Sequence, residues 1–205
     1  MKSPEYKHDQ WLARYSPGIE PINRFVDEIY GANGLNIPYV APIYGGVNAR
    51  MLNILRDPGP QAGGDKGSGF ISMENNDPTA ARLYELCENS GLKSSDLMLW
   101  NIFPWYINEK PTKVQLTEGL EPLKHILEML PNLRVIMLHG VDAQRGWKMF
   151  EEAFPSYALE REIVVIPTFH TSSQAFIHRD PAVRLAKLQK LRDDFKRAAA
   201  ILLNI

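Results

Sequence analysis

The chain has 205 residues, 44% of them hydrophobic and 23% charged, a balance that suits one sizeable soluble globular domain with small extensions. A net charge of −1 removes any global pull toward nucleic acid, so DNA contact would have to come from a local patch. The single cysteine, Cys87, excludes an internal disulfide framework, and no apolar run approaches the ~20 residues that span a bilayer.

In chain order, residues 1–18 are polar and aromatic with Pro4 and Pro17, and are expected to form an N-terminal extension lying on the core. The opening MKSPEYKHDQW lacks a signal-peptide core, which predicts a cytoplasmic, intracellular protein with no membrane partner. Ile19–Tyr30 places Ile22, Phe25, Val26 and Ile29 on one helical face, with Gly31 or Gly34 to end the helix. Pro38, Pro42, Gly45 and Gly46 then mark a long irregular approach to the first strand.

Four strand–helix units follow. Arg50–Leu55 reads as a strand, and Pro78–Glu88 as a helix capped by Asp77, with Cys87 in its apolar pattern. Asp96–Asn101 (DLMLWN) is a strand, and Val114–Leu130 a single helix with Leu116, Leu120, Leu123, Leu127 and Leu130 on its buried side. Arg134–His139 is a strand, Asp142–Phe150 a helix, and Glu162–Pro167 the fourth strand. The last helix takes Asp180 as its cap, has Pro181 in its first turn, and runs to about Leu203. Near-continuous apolar strands alternating with helices predict an α/β fold: a single three-layer α/β/α domain over residues 1–205, with a central four-stranded, mainly parallel sheet.

In such a sheet all the carboxyl ends face one side, where open α/β folds bind their ligands. Asp57 follows the first strand, Asn101 ends the second, His139 ends the third and His170 follows the fourth. An amide can read the polar edge of a base, and a histidine can donate to an oxygen gaining charge. A carboxylate can orient water or stabilise a cation, and Phe70 could stack on a planar heterocycle. Each has a plainer reading: Asp-Pro-Gly as a solvated turn, Asn101 as a turn cap, His170 as a bonded structural histidine, Phe70 as core. His139 is read as structural.

The sequence resembles the uracil-DNA glycosylase superfamily from about Leu52 to Arg179. Four blocks carry the resemblance, in the family's order: Asp57-Pro58 with a glycine-rich loop closing on Phe70, thirteen residues on; LMLWN ending at Asn101; VIMLHGVDAQRGW; and FHTSSQAFIHR. The resemblance implies Asp57 as the water-activating carboxylate, His170 as the catalytic histidine, Phe70 as the base-stacking ring and Asn101 as the base-reading amide. It also implies phosphate contacts from backbone N–H groups of the Gly63–Gly69 loop (Gly64 and Ser68 among them) and near Ser172, and side-chain contacts from Arg56, Lys66, Lys110, Gln174 and Arg179.

There are departures. Gly59 stands where stringent uracil enzymes carry a tyrosine, implying more room beside the base's C5. Thr171 replaces the proline of the last motif, and Gln174 replaces a leucine that wedges into the duplex, leaving Ala175 or Phe176 to do so. The implied activity is a monofunctional DNA N-glycosylase that releases uracil or a related damaged or mismatched base. Its partner is single- or double-stranded DNA, it needs no metal or organic cofactor, and a monomer is expected. The alternative is a non-catalytic DNA- or base-binding relative. Two rivals from other classes lack their signatures: GGDKGSG has no Gly-Lys-Ser/Thr ending of a P-loop, and Ser172 or Ser173 lacks the G-x-S-x-G elbow of a serine hydrolase.

Overall fold

Three strands made almost wholly of buried side chains, β2 (Met51–Leu55), β4 (Leu97–Asn101) and β5 (Val135–His139), form the centre of a sheet completed by β6 (Val164–Thr168). The computed structural model describes residues 1, 3–32 and 34–203. All pairings are parallel, in the order β4-β2-β5-β6. Helices cover the faces, which is why the inner strands carry no polar alternation. Pro167 falls in β6, the edge strand, where a missing N–H need not break a ladder. From β2 the chain crosses to one side to make β4, then returns to make β5 on the other side. The crevice at the carboxyl ends therefore opens over β2.

The α/β architecture and the four parallel strands agree with the sequence reading, as do α2 (Glu20–Ile29), α4 (Pro78–Asn89), α7 (Val141–Ala153) and α9 (Pro181–Leu203). Asp77 caps α4 by accepting from the N–H groups of Thr79 and Ala80 at 2.9 and 3.0 Å. Short α3 (Pro60–Gly63) and α8 (Tyr157–Glu160) lie in connections.

Three features differ from the expectation. The N-terminal extension contains a helix, α1 (Pro4–Leu12), capped by Ser3. A second, two-stranded parallel sheet pairs β1 (Tyr39–Val40) with β3 (Phe70–Ile71). The helix expected over Val114–Leu130 is two, α5 (Lys113–Glu118) and α6 (Leu120–Glu128). Pro122 has no N–H to give the fourth carbonyl before it, so the ladder stops and restarts across Gly119. There the chain passes so close to β4's continuation that a Cβ would stand 2.0 Å from the Ile102 carbonyl oxygen.

Asn23 of α2, fully buried, joins the small sheet to the main body. Its Oδ1 accepts from the Val40 N–H (2.9 Å) and its Nδ2 donates to the carbonyls of Val40 (3.0 Å) and Arg14 (2.7 Å). Trp11 of α1 then lies over this sheet, with its ring centroid 5.1 Å from Phe70 and 5.4 Å from Tyr39. At the other edge, Asp194 of α9 is buried against β6, accepting from Thr168 Oγ1 (2.7 Å) and Lys190 Nζ (2.8 Å). Among the described residues no helix is long and apolar enough to cross a membrane.

Candidate active site

The ladder between β2 and β4 continues one step past both strands. Ile102 N–H donates to the Leu55 carbonyl (2.9 Å) and Phe103 N–H to the Arg56 carbonyl (3.1 Å), fixing Arg56-Asp57 at the sheet's mouth. On the other side Gly140 N–H donates to the Thr168 carbonyl (2.9 Å), carrying the β5–β6 ladder toward His170. Gly140 has φ +86°, and a Cβ there would stand 3.1 Å from His170 Cβ; the loop of β6 closes down only because this residue is glycine.

Asp57, Gly59, Asn101, His139, His170, Ser172 and Gln174 line one cavity of about 770 Å³ over these strand ends. Asp57, with its side chain 3% exposed, pairs with Arg56 Nε. Burial pushes its carboxyl above the usual range; the Arg56 charge and the Asn108 backbone amide oppose that, and Asp142 adds to it. It is thus a tuned carboxylate.

His170 Nδ1 accepts from the Ser172 N–H at 3.0 Å. An occupied Nδ1 puts the proton of the neutral ring on Nε2. Burial first, then the Arg56 charge, pushes His170 down to about 4, against Asp142 and Asp77. The ring is therefore neutral at pH 7, a hydrogen-bond donor without a charge. Arg82 of α4 holds its loop by donating to the Thr171 carbonyl and lying 5.0 Å over the Phe176 ring. His139, fully buried, bonds Asn53 Oδ1 through Nε2 at 2.9 Å, and burial pushes it down to about 3.

Several expected residues stand elsewhere. Phe70 is fully buried under Trp11 and Tyr39, outside the cavity; successive strand residues face opposite ways, and it is Ile71 that lines the wall. The glycine-rich loop is folded on itself, and five of its N–H groups are taken. Gly63 N–H goes to Gly59, Gly64 to Pro60, Gly67 to Gly64, Ser68 to Gln61 and Gly69 to Ala62. Ser68 Oγ bonds the backbone of Phe70. Gly64 and Ser68 thus lie outside the cavity with no free N–H for a phosphate, and the Ser172 N–H is taken by His170. Arg56 and Lys110 face carboxylates, Lys110 Nζ lying 3.5 Å from Asp142. Arg179 is exposed beyond the cavity lining. Phe176 is buried, whereas Ile177 is 75% exposed just after the short 3-10 turn Ser173–Phe176. Asn75, Asp142 and Arg82 were not foreseen. Asn75 falls in an irregular segment and carried no local signal, whereas Asp142 was legible as the start of a helix beginning at a strand's carboxyl end.

A family model, Uracil DNA glycosylase superfamily, matches residues 42–198. The chain belongs to this superfamily. The match spans the whole main sheet, both ends of the cavity and most of α9, and no curated protein matches the chain. Members of this superfamily are generally DNA glycosylases of DNA repair, and membership implies DNA binding. In this member a carboxylate, an amide and an uncharged imidazole come to one cavity from three separate strand ends.

Proposed function

We propose that the protein is a monofunctional DNA N-glycosylase that hydrolyses the glycosidic bond of uracil, or a related damaged or mismatched base, extruded from DNA, leaving an abasic site. The observation that carries this reading is the pairing of a buried Asp57 with a neutral His170 whose Nδ1 is already bonded, across a cavity also lined by Asn101.

Extrusion costs a few kcal/mol and is repaid by contacts to the flipped base. Asn101 pairs with the base edge. As the glycosidic bond breaks, charge collects on a base carbonyl, and His170 Nε2–H donates to it; a neutral donor suits an oxyanion that leaves without taking the proton. Asp57 stabilises the cationic sugar and orients the incoming water. With Phe70 turned away, the aliphatic wall of Ile71 and Leu83 takes the face of the base. At Gly59 a Cβ would meet nothing within 4 Å, which favours a pocket open toward the base's C5 side. The lining residues described include no lysine, in keeping with water rather than an amine as nucleophile. Ser172, Gln174 and Arg179 contact the DNA strand, and Ile177 is an exposed aliphatic side chain available to fill the gap left by the extruded base.

A panel of single-lesion oligonucleotides, single- and double-stranded, read by alkaline cleavage at abasic sites, tests this. Asp57→Ala and His170→Ala should keep the fold, followed by circular dichroism, and lose about 10²- to 10⁴-fold in base release. A uracil strand processed equally well by both variants would refute the roles given to these residues.

A further inference from the structure

His170 sits on a loop whose turn is closed by bonds within the loop itself. Ser172 N–H donates to His170 Nδ1 (3.0 Å), Ala175 N–H to the Ser172 carbonyl (3.2 Å) and Ile177 N–H to the Gln174 carbonyl (3.2 Å). Such bonds shape the loop without fixing it to the sheet, and Gly140, which lets it close down, has no side chain to keep it there. Two cations from flanking helices reach it instead. Lys187 of α9 donates to the Ala175 carbonyl (3.3 Å), with its Nζ 5.7 Å over the Phe169 ring. Half-buried Arg82 of α4 donates from Nη1 to the carbonyl of Thr171, the fully buried neighbour of His170, and its guanidinium lies 5.0 Å over the Phe176 ring. A planar guanidinium bonds a carbonyl along its edge while its face rests on a ring, so this one side chain holds both ends of residues 171–176.

We propose that Arg82 is the positioning residue of His170: by pinning Thr171 and Phe176 to α4, it sets where the imidazole stands over the crevice. Its part in catalysis rests on the glycosylase reading above. A hydrogen-bond donor loses its effect steeply when misplaced, and a shift of about 1 Å can cost about 10²-fold in rate. Arg82 acts through position and not through its charge. The charges that act on the His170 ring are those of Arg56, Asp142 and Asp77, and His139 is the titratable group beside it. Burial is the main reason that the ring stays neutral down to about pH 4, and the ring is buried only while the loop is closed. Loosening the loop should therefore leave two marks together: slower chemistry, and an imidazole that takes up its proton nearer the ordinary ~6.5.

Arg82→Met tests the proposal, since it keeps the aliphatic stem and the buried face of α4 (Leu83, Leu86 and Cys87) and removes the guanidinium. On the lesion strand that the wild type processes fastest, kcat should fall about 10- to 100-fold while KM stays within about threefold. Histidine-ring NMR of the isotope-labelled, DNA-free protein gives the second readout, with His170 assigned by its absence in His170→Asn. Between about pH 5 and about pH 8 the ring should stay neutral in the wild type and titrate in Arg82→Met. Arg82→Lys, which keeps the cation and one donor, should recover part of both effects. Should Arg82→Met not fold, Phe176→Leu, which removes the ring under the guanidinium, takes its place under the same outcomes. A slower variant whose His170 stays neutral overturns the proposal, and so does an unchanged kcat. A raised KM alone makes Arg82 a DNA contact and overturns it as well. The titration needs no substrate. A wild type that releases no base, with His170 titrating only in the variant, removes the glycosylase reading and leaves the positioning; base release with His170 neutral in both proteins does the reverse.

Discussion

Burial moves Asp57 and His170 in opposite directions, raising the carboxyl and lowering the imidazole, because in each case it disfavours the charged form. The identities of these two residues were legible in the sequence because both follow apolar strands, and strand ends are where such folds collect their polar groups. Their tuning was not legible. It depends first on burial and then on Arg56, Asp142 and Asp77, of which the last two reach the cavity through the tertiary fold. Phe70 was misread for a related reason: in a strand of two residues nothing in the sequence fixes which one faces the cavity, and a shift of one position exchanges the faces. Gly59 is the residue whose expected role can be tested most directly. Because a Cβ there meets nothing within 4 Å, Gly59→Tyr should cost under ~1 kcal/mol of stability. It should reduce turnover of 5-substituted uracils by at least about tenfold relative to uracil, with competing oligonucleotides in one reaction as the measurement. Equal loss on both bases would show that the side chain blocks the mouth rather than the C5 side.

At the scale of elements, the long apolar strands and capped helices could be read because burial on both faces leaves an uninterrupted pattern. β1 and β3 could not, being too short to show a period, and their pairing joins segments about thirty residues apart. The break between α5 and α6 had a local signal in Pro122, masked by leucines that keep helical spacing across it. Asn23 was hidden differently: a polar residue inside an apolar helical face reads as an interruption, yet it supplies three hydrogen bonds that hold β1 and the segment after α1. Asn23→Ala should therefore destabilise the protein by about 3 kcal/mol, since it strands buried backbone groups of Val40. Urea unfolding measures this. A change under ~1 kcal/mol would mean that water replaces the amide and that the small sheet stands without it.

For the whole molecule, the four-stranded parallel sheet was predictable from the alternation of elements, but the order β4-β2-β5-β6 was not, because strand order is decided by which crossovers pack. That order sets His139 and His170 close together over the crevice, where each is pushed down, to about 3 and about 4, by burial above all; His170's proximity lowers His139 further. Unfolded, both would titrate near ~6.5. Above that pH neither state holds the extra protons, and these residues give stability no pH dependence. Below it the unfolded chain binds up to two protons that the folded one refuses. Stability should then fall by up to ~1.4 kcal/mol per pH unit for each histidine until the pH approaches the folded values. Asp57 acts in the opposite sense, because its raised carboxyl takes up a proton in the fold first and recovers part of the loss at the acid end. Urea unfolding from pH 8 to pH 5 should therefore show a plateau above about 7 and a slope approaching ~2.7 kcal/mol per pH unit below 6. His170→Asn removes one titrating ring and keeps an acceptor for the Ser172 N–H, so it should halve that slope. A slope unchanged in the variant would place the acid sensitivity in groups outside the crevice.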